Sequence, residues 1–407
     1  MKQSTVINFT GDIGFDKYMQ GRWDDTGLIA PDVLSFIKDC DHLVVNVEGP
    51  LFDKSENHTA KSPAPGRPEG VAASLIHAMD PKVADFLSGL GADIWNICNN
   101  HIMDAGPEGM KSTLSLAASS SAKTLGAGMN LGEASQPVII EEAGGIGMIG
   151  VGYQRACRKA DDTTPGCFSW SDLDLIRQQI ESIRSSCRWC VVVAHAGEEF
   201  TAIPSPYTRE RYLSYLEMGA DIVVAHHPHV VNSYELVGDK AIFYSLGNFI
   251  FDTDYQRSQF GTQRGVILKI SFTKDSFSFE PMGILIDREK ERIVSDEIPA
   301  IFTDVPSAEY EKLKGLGAKV LIENTKRQLR FLKPSEFEKA SEDDFVRNFH
   351  EPLRSGRVPG ETLDMQIIYP LSKTYYNNGW KESSLTDVVR YMLAQIPDED
   401  DGDGRRS

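Results

Sequence analysis

Residues 218–231 read MGADIVVAHHPHVV, and they join a strand of the buried type to an unusual group of histidines. The run ADIVVA is short, apolar and rich in valine, which is typical of a strand buried on both faces. Three of the chain's 9 histidines follow it within four positions, namely His226, His227 and His229. Either a polar turn or a metal site explains such a cluster, so the ends of the other strands decide between the two.

The first two-thirds of the chain alternates between runs of this kind and helix-like segments. The comparable runs are STVINFT, HLVVNVE, ADIWNIC, IGMIGVG and CVVVAHA, and segments such as PDVLSFIKDC, DPKVADFLSGLG and SWSDLDLIRQQIESIRSS separate them. This alternation predicts an α/β fold with a largely parallel sheet. After about residue 230, turn signals at Gly238 and at Lys274 predict two hairpins, and these suggest an antiparallel sheet stacked on the first one.

The composition limits the possible partners. The chain has 407 residues, of which 41% are hydrophobic and 25% charged, as in ordinary globular proteins. Its net charge of −17 argues against a nucleic-acid groove or an anionic membrane surface. No apolar run approaches the roughly 20 residues of a membrane helix, and no signal peptide is visible. We therefore expect a cytoplasmic protein with no membrane span and no nucleic acid, acting on a peptide or small anionic substrate.

Polar side chains follow five of the predicted strands, and parallel strands place their carboxyl ends at one edge of a sheet. Apart from the histidines above, these side chains belong to Asp12, Glu48, Asn99, Asn100, His101, Asp104, His195, Glu198 and Glu199. Carboxylates, carboxamides and neutral imidazoles suit divalent ions such as Zn, Mn, Fe or Mg, and a carboxylate can bridge two of them. If the histidine segment is extended around Pro228, His227 and His229 share a face and His226 points the other way.

Six motifs, in order, resemble those of the CapA family of capsule-synthesis proteins: GDIG, NVEGPL, NNHIMDAGPEGM, HAGEEF, GADIVVAHHPHVV and IFYSLGNFIFD. That family is associated with poly-γ-glutamate production and belongs to the wider metallophosphoesterase (calcineurin-like) superfamily. The resemblance covers roughly residues 5–285 and implies a metallophosphoesterase-like two-sheet α/β sandwich with flanking helices. We accordingly expect a CapA-like domain over residues 1–285, a mixed C-terminal region over 286–395 and a disordered acidic tail over 396–407.

The resemblance also implies a centre of one or two divalent metal ions. Its implied ligands are Asp12 and His229 on a first ion, Asn100, His195 and His227 on a second, and Glu48 as a bridge between them. In one respect the sequence departs from the superfamily, because Gly14 occupies the third position of the Asp-x-His motif. The first ion thus loses an imidazole, and Glu48 replaces the usual bridging aspartate. Both changes argue against ordinary phosphatase activity.

Further residues are candidates for catalysis and substrate contact. His101 stands where phosphoesterases have the histidine that protonates or steadies the leaving oxygen, and Asp104 would orient its ring. Glu198 is a candidate general base, for which an exposed surface position is the alternative. The candidate substrate-binding residues are Asn248, Arg264 and His226. Each has an alternative role: for Asn248 it is to tie a loop to the rim of the site, for Arg264 it is that of an ordinary exposed charge, and for His226 it is packing.

Three functions remain open from the sequence. The first is a metal-dependent enzyme that acts on a γ-glutamyl, other peptide-like or phosphoester substrate by metal polarisation and general acid–base chemistry. The second is a metal-dependent peptide epimerase in a natural-product pathway. The third is a non-catalytic, polymer-binding assembly protein of capsule or poly-γ-glutamate synthesis, although the negative net charge disfavours binding of polyglutamate without cations.

Overall fold

The computed structural model describes residues 4–53, 77–153, 157–197, 199, 200, 204, 206–259, 261–308 and 310. Its strands are β1 (Thr5–Gly14), β2 (His42–Val47), β3 (Ile94–Asn96), β4 (Lys123–Leu125), β5 (Ala127–Gly128), β6 (Val138–Ile140), β7 (Ile146–Gly152), β8 (Gly166–Cys167), β9 (Trp189–His195), β10 (Ile222–His226), β11 (Tyr234–Val237), β12 (Lys240–Phe243), β13 (Asn248–Phe251), β14 (Arg264–Phe272), β15 (Phe277–Asp287) and β16 (Arg292–Asp296). Its helices are α1 (Pro31–Lys38), α2 (Val83–Leu90), α3 (Gly106–Ser119), α4 (Leu131–Ala134), α5 (Leu173–Ser186), α6 (Pro206–Met218) and α7 (Asp254–Ser258).

Two mixed sheets form the framework of the described residues. The first runs in the order β16-β15-β14-β1-β2-β3-β4, with β13 also paired to β1, and the second in the order β11-β12-β10-β9-β7-β6. In the first sheet β1, β2, β3, β4 and β13 run parallel to one another. In the second, β7, β9, β10 and β12 are parallel. The carboxyl ends of the parallel strands therefore lie at one edge of each sheet, where polar side chains can meet.

The sheets confirm the predicted two-sheet α/β sandwich with flanking helices. Both predicted hairpins also form, since β11 pairs with β12 and β14 with β15 in antiparallel register. The prediction that they build a separate antiparallel sheet is wrong. β12 instead continues the second sheet beside β10, and β14 continues the first beside β1. Each added strand satisfies the backbone donors and acceptors of a sheet edge that would otherwise be unpaired.

Apolar side chains from both sheets fill the space between them. Phe9 and Leu268 of the first sheet and Val193 and Phe243 of the second belong to this shared core and are fully buried. Burying each such side chain contributes about 1.5–3 kcal/mol. Helices cover the outer faces: α1, α2 and α3 pack on the first sheet, whereas α5 and α6 pack on the second. This packing fixes the two strand edges that carry the polar residues.

The first sheet continues beyond the predicted domain limit at residue 285. β15 ends at Asp287, and β16 pairs with it as the edge strand. Residues 311–395 and the predicted tail at 396–407 lie outside the described residues. The proposed division of the chain therefore stays a prediction. Among the helices of the described ranges, none combines the length and apolar character needed to cross a bilayer.

A buried ion pair joins α6 to the second sheet. Arg209 Nε donates to Oε2 of Glu235 at 2.9 Å, and its Nη2 donates to Oε1 at 2.7 Å. The hydroxyls of Tyr244 and Ser307 donate to the same two oxygens, and Glu235 is 1% exposed. Because the four donor atoms belong to three residues that lie far apart in sequence, this carboxylate ties together distant parts of the chain.

Replacing Arg209 by methionine should lower the free energy of unfolding by about 3–5 kcal/mol, because it leaves the Glu235 carboxylate buried without its cation. Lys290→Met is the control, since it removes a 3.2 Å pair with Asp287 in which the lysine is 62% exposed. That exposed pair should contribute no more than about 1 kcal/mol. Denaturant unfolding measures both values, and equal losses in the two variants would contradict the assigned role of Glu235.

Candidate metal centre

The polar residues that follow the strands meet where the edges of the two sheets approach each other. Asp12 lies near the end of β1, where the pairing with both neighbouring strands is irregular, so its side chain leaves the regular alternation. Glu48 directly follows β2, and His195 is the last residue of β9. Asp12, Glu48 and His195 are buried. The two sheets thus supply ligand-type side chains to one enclosed volume.

Two groups of potential metal ligands share one carboxylate. Ligand atoms of Glu48, His195 and His227 lie within 4.8 Å of one another, and those of Asp12, Glu48 and His229 do the same. Glu48 Oε1 is 3.7 Å from His195 Nε2 and 3.5 Å from His229 Nε2. Since a carboxylate has two oxygens, Glu48 can serve both groups, which is the arrangement that a two-ion centre requires.

The hydrogen bonding of these carboxylates fits a bound cation. Asp12 Oδ2 and both oxygens of Glu48 are buried, and none has a hydrogen-bond partner among the described residues. Burying an unpaired carboxylate is costly, so such groups are normally paired or bind metal. Carboxylate oxygens together with imidazole nitrogens suit a divalent ion. The structure therefore contains buried groups that could hold a metal ion, and this donor set does not distinguish Mn, Zn, Fe or Mg.

The histidines of the second group are in the neutral form that binds metal. Burial lowers the pKa of His195 well below its usual range and lowers the pKa of His227 to about 4. Neutral imidazoles at pH 7 offer a lone pair without first losing a proton. Burial also raises the pKa of Glu48 well above its usual range, despite the opposing charge of His229. A nearby cation would reverse that effect, because it favours the carboxylate form.

The first group places a histidine and a carboxylate close enough to form an ion pair. Burial disfavours the charged forms of both partners, His229 and Asp12, whose Nδ1 and Oδ2 atoms lie 3.3 Å apart. The charge of Glu48 and the neighbouring carboxylate of Asp12 nevertheless raise the pKa of His229 to about 10, and His229 in turn lowers the pKa of Asp12. A metal ion in this group would take the place of the proton on His229.

The backbone of the histidine segment differs from the predicted extended conformation. β10 ends at His226, and His227 and His229 have φ values of 101° and 57°. Non-glycine residues in this region carry strain of about 1–3 kcal/mol, which is common at functional sites. The predicted strand alternation is thus wrong as the reason for their convergence. A left-handed turn on each side of Pro228 brings His227 and His229 to the two adjacent groups.

Two asparagines that received no role from the sequence orient Asp12, namely Asn96 and Asn46, the first residue of the motif NVEGPL. Asn96 donates from Nδ2 to Oδ1 of Asn46 at 2.8 Å, and Asn46 donates from its own Nδ2 to Oδ1 of Asp12 at 2.8 Å. Asn46 Nδ2 also lies 3.3 Å from Nδ1 of His195. Both asparagines are fully buried, so the chain of amides fixes Asp12 with Oδ2 left for another partner. The available signal was an asparagine inside each of the strand-like runs HLVVNVE and ADIWNIC.

Several other candidate residues contact the two groups or support them. Asn100 Oδ1 is 2.9 Å from His195 Nε2, which places this amide beside the second group. Asn248 Oδ1 is 2.9 Å from Nδ1 of His229, while its Nδ2 donates to Gln256 Oε1 and to the carbonyl of Thr262. The predicted contact of Asn248 with substrate stays a prediction, and its amide holds His229. This agrees with the alternative in which it ties a loop to the rim.

The remaining candidates lie in different surroundings. His226 is 1% exposed, and its Nε2 lies 2.9 Å from the carbonyl oxygen of Thr10, so it links the two sheets. Arg264 is partly exposed at the start of β14, with Nη2 3.4 Å from Asp296. Glu198 lies outside the described residues. A role for these three residues in substrate binding or catalysis stays a prediction.

His101 is held by Asp104 as the resemblance implies. Nδ1 of His101 is 2.8 Å from Asp104 Oδ2, and burial lowers the pKa of His101 in spite of that hydrogen bond. A further histidine, His77, contacts His101 with ring centroids 4.2 Å apart. His77 precedes the helix-like segment DPKVADFLSGLG and was not singled out, because one histidine in an irregular stretch carries no pattern.

The position of Gly14 explains the missing imidazole of the first group. A Cβ atom on Gly14 would lie 2.3 Å from two ring carbons of Phe251, far inside van der Waals contact. The Phe251 ring in turn stacks on His229, with centroids 4.9 Å apart and ring planes 28° from parallel. The aromatic ring therefore fills the space that a side chain at position 14 would need. The departure from the superfamily motif is accommodated by packing.

Glu48→Gln and His227→Asn should each abolish metal binding while the fold remains, because each removes a ligand from the centre. Partners that only support a ligand typically change affinity 10–100-fold, so loss of a ligand should cost at least about 100-fold. His42→Gln is the matched control: this histidine pairs with Asp93 at the opposite end of β2 from Glu48. Metal content measured by mass spectrometry after buffer exchange tests this, and wild-type content in both variants would refute the assignment.

Gly14→Ala should destabilise the protein by about 1–3 kcal/mol, because the new methyl group overlaps the Phe251 ring. In the background of Phe251→Leu the same change should cost less, with a coupling energy of about 0.5–3 kcal/mol between the two positions. Unfolding of wild type, both single variants and the double variant gives this value. Additive effects would show that Phe251 is not what excludes a side chain at position 14.

Comparison with known proteins agrees with this site. The family model described as bacterial capsule synthesis protein PGA_cap matches residues 6–253. The PGA biosynthesis protein CapA of Bacillus subtilis (strain 168) is 28% identical over 261 residues, which span 62% of this chain and 64% of that protein. The capsule biosynthesis protein CapA of Bacillus anthracis is 27% identical over 268 residues, spanning 63% of this chain and 62% of that protein.

The match thus extends over less than two thirds of each of these relatives. A crystal structure of a hypothetical protein from Thermus thermophilus aligns over 72% of this chain and 100% of its own, at 12% identity and a TM-score of 0.40. A likeness of that size assigns neither fold nor activity. The family model is different, because it matches more than half of the chain and includes all six implied ligands. This chain belongs to the PGA_cap family of bacterial capsule synthesis proteins.

Proposed function

We propose that this chain is a metal-dependent enzyme that hydrolyses a γ-glutamyl or other peptide-like amide, or a phosphoester. The observation that carries this proposal is the shared carboxylate of Glu48. It is buried between two sets of ligands, and neither of its oxygens has a hydrogen-bond partner among the described residues. A buried anion of this kind is unfavourable unless a cation binds it, and paired cations at a shared carboxylate are a recurrent hydrolytic device.

The choice of substrate class rests on the relatives and on charge. The matched relatives are named for PGA and capsule biosynthesis, and the family resemblance connects them with poly-γ-glutamate. An acidic substrate is repelled by a protein with a net charge of −17 unless local cations compensate. Divalent ions held at Glu48 would supply that positive charge at the reacting centre. A phosphoester is the alternative substrate that the superfamily suggests. The same divalent ions would offset its negative charge.

The side chains of the centre have separate roles in this reaction. Bound metal ions would polarise the substrate's carbonyl or phosphoryl oxygen and lower the pKa of water. Asn46 holds Asp12 through one oxygen, and Asn248 holds His229 through Nδ1. His101 is fixed through Nδ1 by Asp104, so its Nε2 is the nitrogen left to exchange a proton with the leaving atom.

A non-catalytic assembly protein is the competing function. Such a protein requires a surface for the polymer but no oriented acid–base group. The pairing of His101 with Asp104 beside the two ligand groups therefore favours catalysis. Binding of poly-γ-glutamate without turnover, by the metal-loaded protein, would decide for the assembly role.

Wild-type protein loaded with Mn²⁺ or Zn²⁺ should hydrolyse γ-glutamyl-p-nitroanilide or bis(p-nitrophenyl) phosphate. Asp12→Asn and His195→Gln should lower the rate at least about 100-fold, because each removes a ligand of one group, while His42→Gln should keep it. Release of the chromophore gives the rates, and metal analysis of each variant accompanies them. Failure of the metal-loaded wild type to act on either compound, or activity that persists without metal, would refute the proposal.

A further inference from the structure

Two histidines of the described chain form a contacting pair beside the metal centre, and each is held by its own carboxylate. His77 Nδ1 lies 2.5 Å from Asp16 Oδ2, and His101 Nδ1 lies 2.8 Å from Asp104 Oδ2. The backbone N–H of His77 donates to that same Asp104 oxygen at 2.9 Å. The imidazole rings meet edge to face, with centroids 4.2 Å apart and planes at 82°. The two His–Asp pairs are therefore built as one unit.

Both rings leave the same nitrogen available. A carboxylate at Nδ1 fixes the orientation of an imidazole and keeps the Nδ1 proton, so Nε2 is the atom that can gain or lose one. Neither Nε2 has a hydrogen bond to any residue in the described part of the chain. The side chains of His77 and His101 are 13% and 11% exposed, so solvent or a ligand reaches them. By contrast, the linking histidine His226 is 1% exposed and has its Nε2 on a carbonyl oxygen.

The pair lies one aromatic ring away from the implied metal ligand His229. The His77 ring is 5.3 Å from Phe251, and Phe251 is 4.9 Å from His229, measured between centroids. Asp16 follows β1, the strand that carries Asp12. The elements that position the metal ligands therefore also position this second His–Asp pair, which makes it part of the same site.

We propose that His77, oriented by Asp16, is a second acid–base residue of this centre and protonates the leaving atom of the substrate next to His101. This deepens the proposed function and rests on it. As water oxygen bonds to the carbonyl carbon or phosphorus, the bond to the leaving nitrogen or oxygen breaks and its electron pair stays on that atom. The Nε2 proton of His77 passes to this atom. The proton lost by water returns to His77 through solvent, so the cycle consumes one water.

The contact between the rings also limits the chemistry. At a centroid separation of 4.2 Å the rings touch, so no substrate carbon fits between them. A substrate carbon therefore cannot be held between His77 and His101. A two-base epimerase needs a base on each face of one carbon, whereas protonation of a leaving atom needs donors on one side only. His77 and His101 therefore do not form the two opposed bases of an epimerase.

The test compares substrates whose leaving groups differ in their need for a proton. Phosphodiesters with p-nitrophenol and with phenol as leaving groups make one such series, and γ-glutamyl p-nitroanilide with γ-glutamyl anilide makes the other. His77→Gln should slow the phenol or aniline substrate by about 100-fold or more, in the range of general acid catalysis. It should slow the nitro-substituted partner less than about tenfold. Metal content should equal that of wild type.

Asp16→Asn tests the positioning role, because it keeps the hydrogen-bonding volume but removes the charge beside His77. It should give an intermediate loss with the same leaving-group dependence and a displaced pH–rate profile. His42→Gln is the control, since His42 has the same Nδ1–carboxylate pairing, at 2.6 Å from Asp93, at the far end of β2. It should change neither the rates nor the profile.

Each contrary outcome has a distinct meaning. If the wild type is active but His77→Gln slows the cleavage of both kinds of substrate equally, or slows neither, the role of His77 is overturned. The proposed function is then still standing. Loss of metal from His77→Gln likewise overturns it, because the histidine would then support the ligands. A metal-loaded wild type that cleaves neither series overturns the proposed function and this inference together.

Discussion

The carboxylate of Glu48 is buried where the edges of the two sheets meet, and neither of its oxygens accepts a hydrogen bond from the described residues. A folded protein seldom keeps such a group without a compensating charge. Imidazoles of His195 and His229 lie 3.7 and 3.5 Å from one of its oxygens, and of these two rings only that of His229 is held in the charged form. The sandwich, its helices and the buried amides of Asn46 and Asn96 all hold these groups against their electrostatic cost.

The two ligand groups around Glu48 are chemically unequal. One adds two imidazoles, which are neutral because burial lowers the pKa values of His195 and His227. The other adds one carboxylate and one imidazole, and the Phe251 ring occupies the space where the superfamily motif has a further histidine. Nitrogen-rich sites favour borderline ions such as Zn, whereas carboxylate-rich sites favour harder ions such as Mg or Mn. The two positions should therefore differ in affinity and in preferred metal.

The sequence predicted the sandwich and the converging strand ends because both follow from repeated local patterns. Valine-rich runs indicated the parallel strands, and the ordered motifs indicated Asp12, Glu48 and His229. Patterns of this kind do not show which existing sheet a later strand joins, so the position of β14 beside β1 was missed. That choice depends on which sheet edge is left unpaired, and this is a property of the assembled fold.

The same limit applies to the details of the site. Strand alternation predicted the right histidines for the wrong reason, since His227 and His229 converge through positive φ values. His77 lies outside the helices and strands and carries no motif, so only its contacts with Asp16 and His101 reveal it. The contact of the Asn248 amide with His229 could likewise not be obtained from the motif in which Asn248 stands. Roles that depend on contacts between distant segments cannot be obtained from spacing along the chain.

The central claim is that Glu48 is shared between two metal positions, and an anomalous difference map from crystals grown with Mn²⁺ tests it most directly. The account predicts anomalous density on both sides of the Glu48 carboxylate, bounded by His195 and His227 on one side and by Asp12 and His229 on the other. A single peak away from Glu48, or no peak within bonding distance of it at saturating Mn²⁺, would contradict the account.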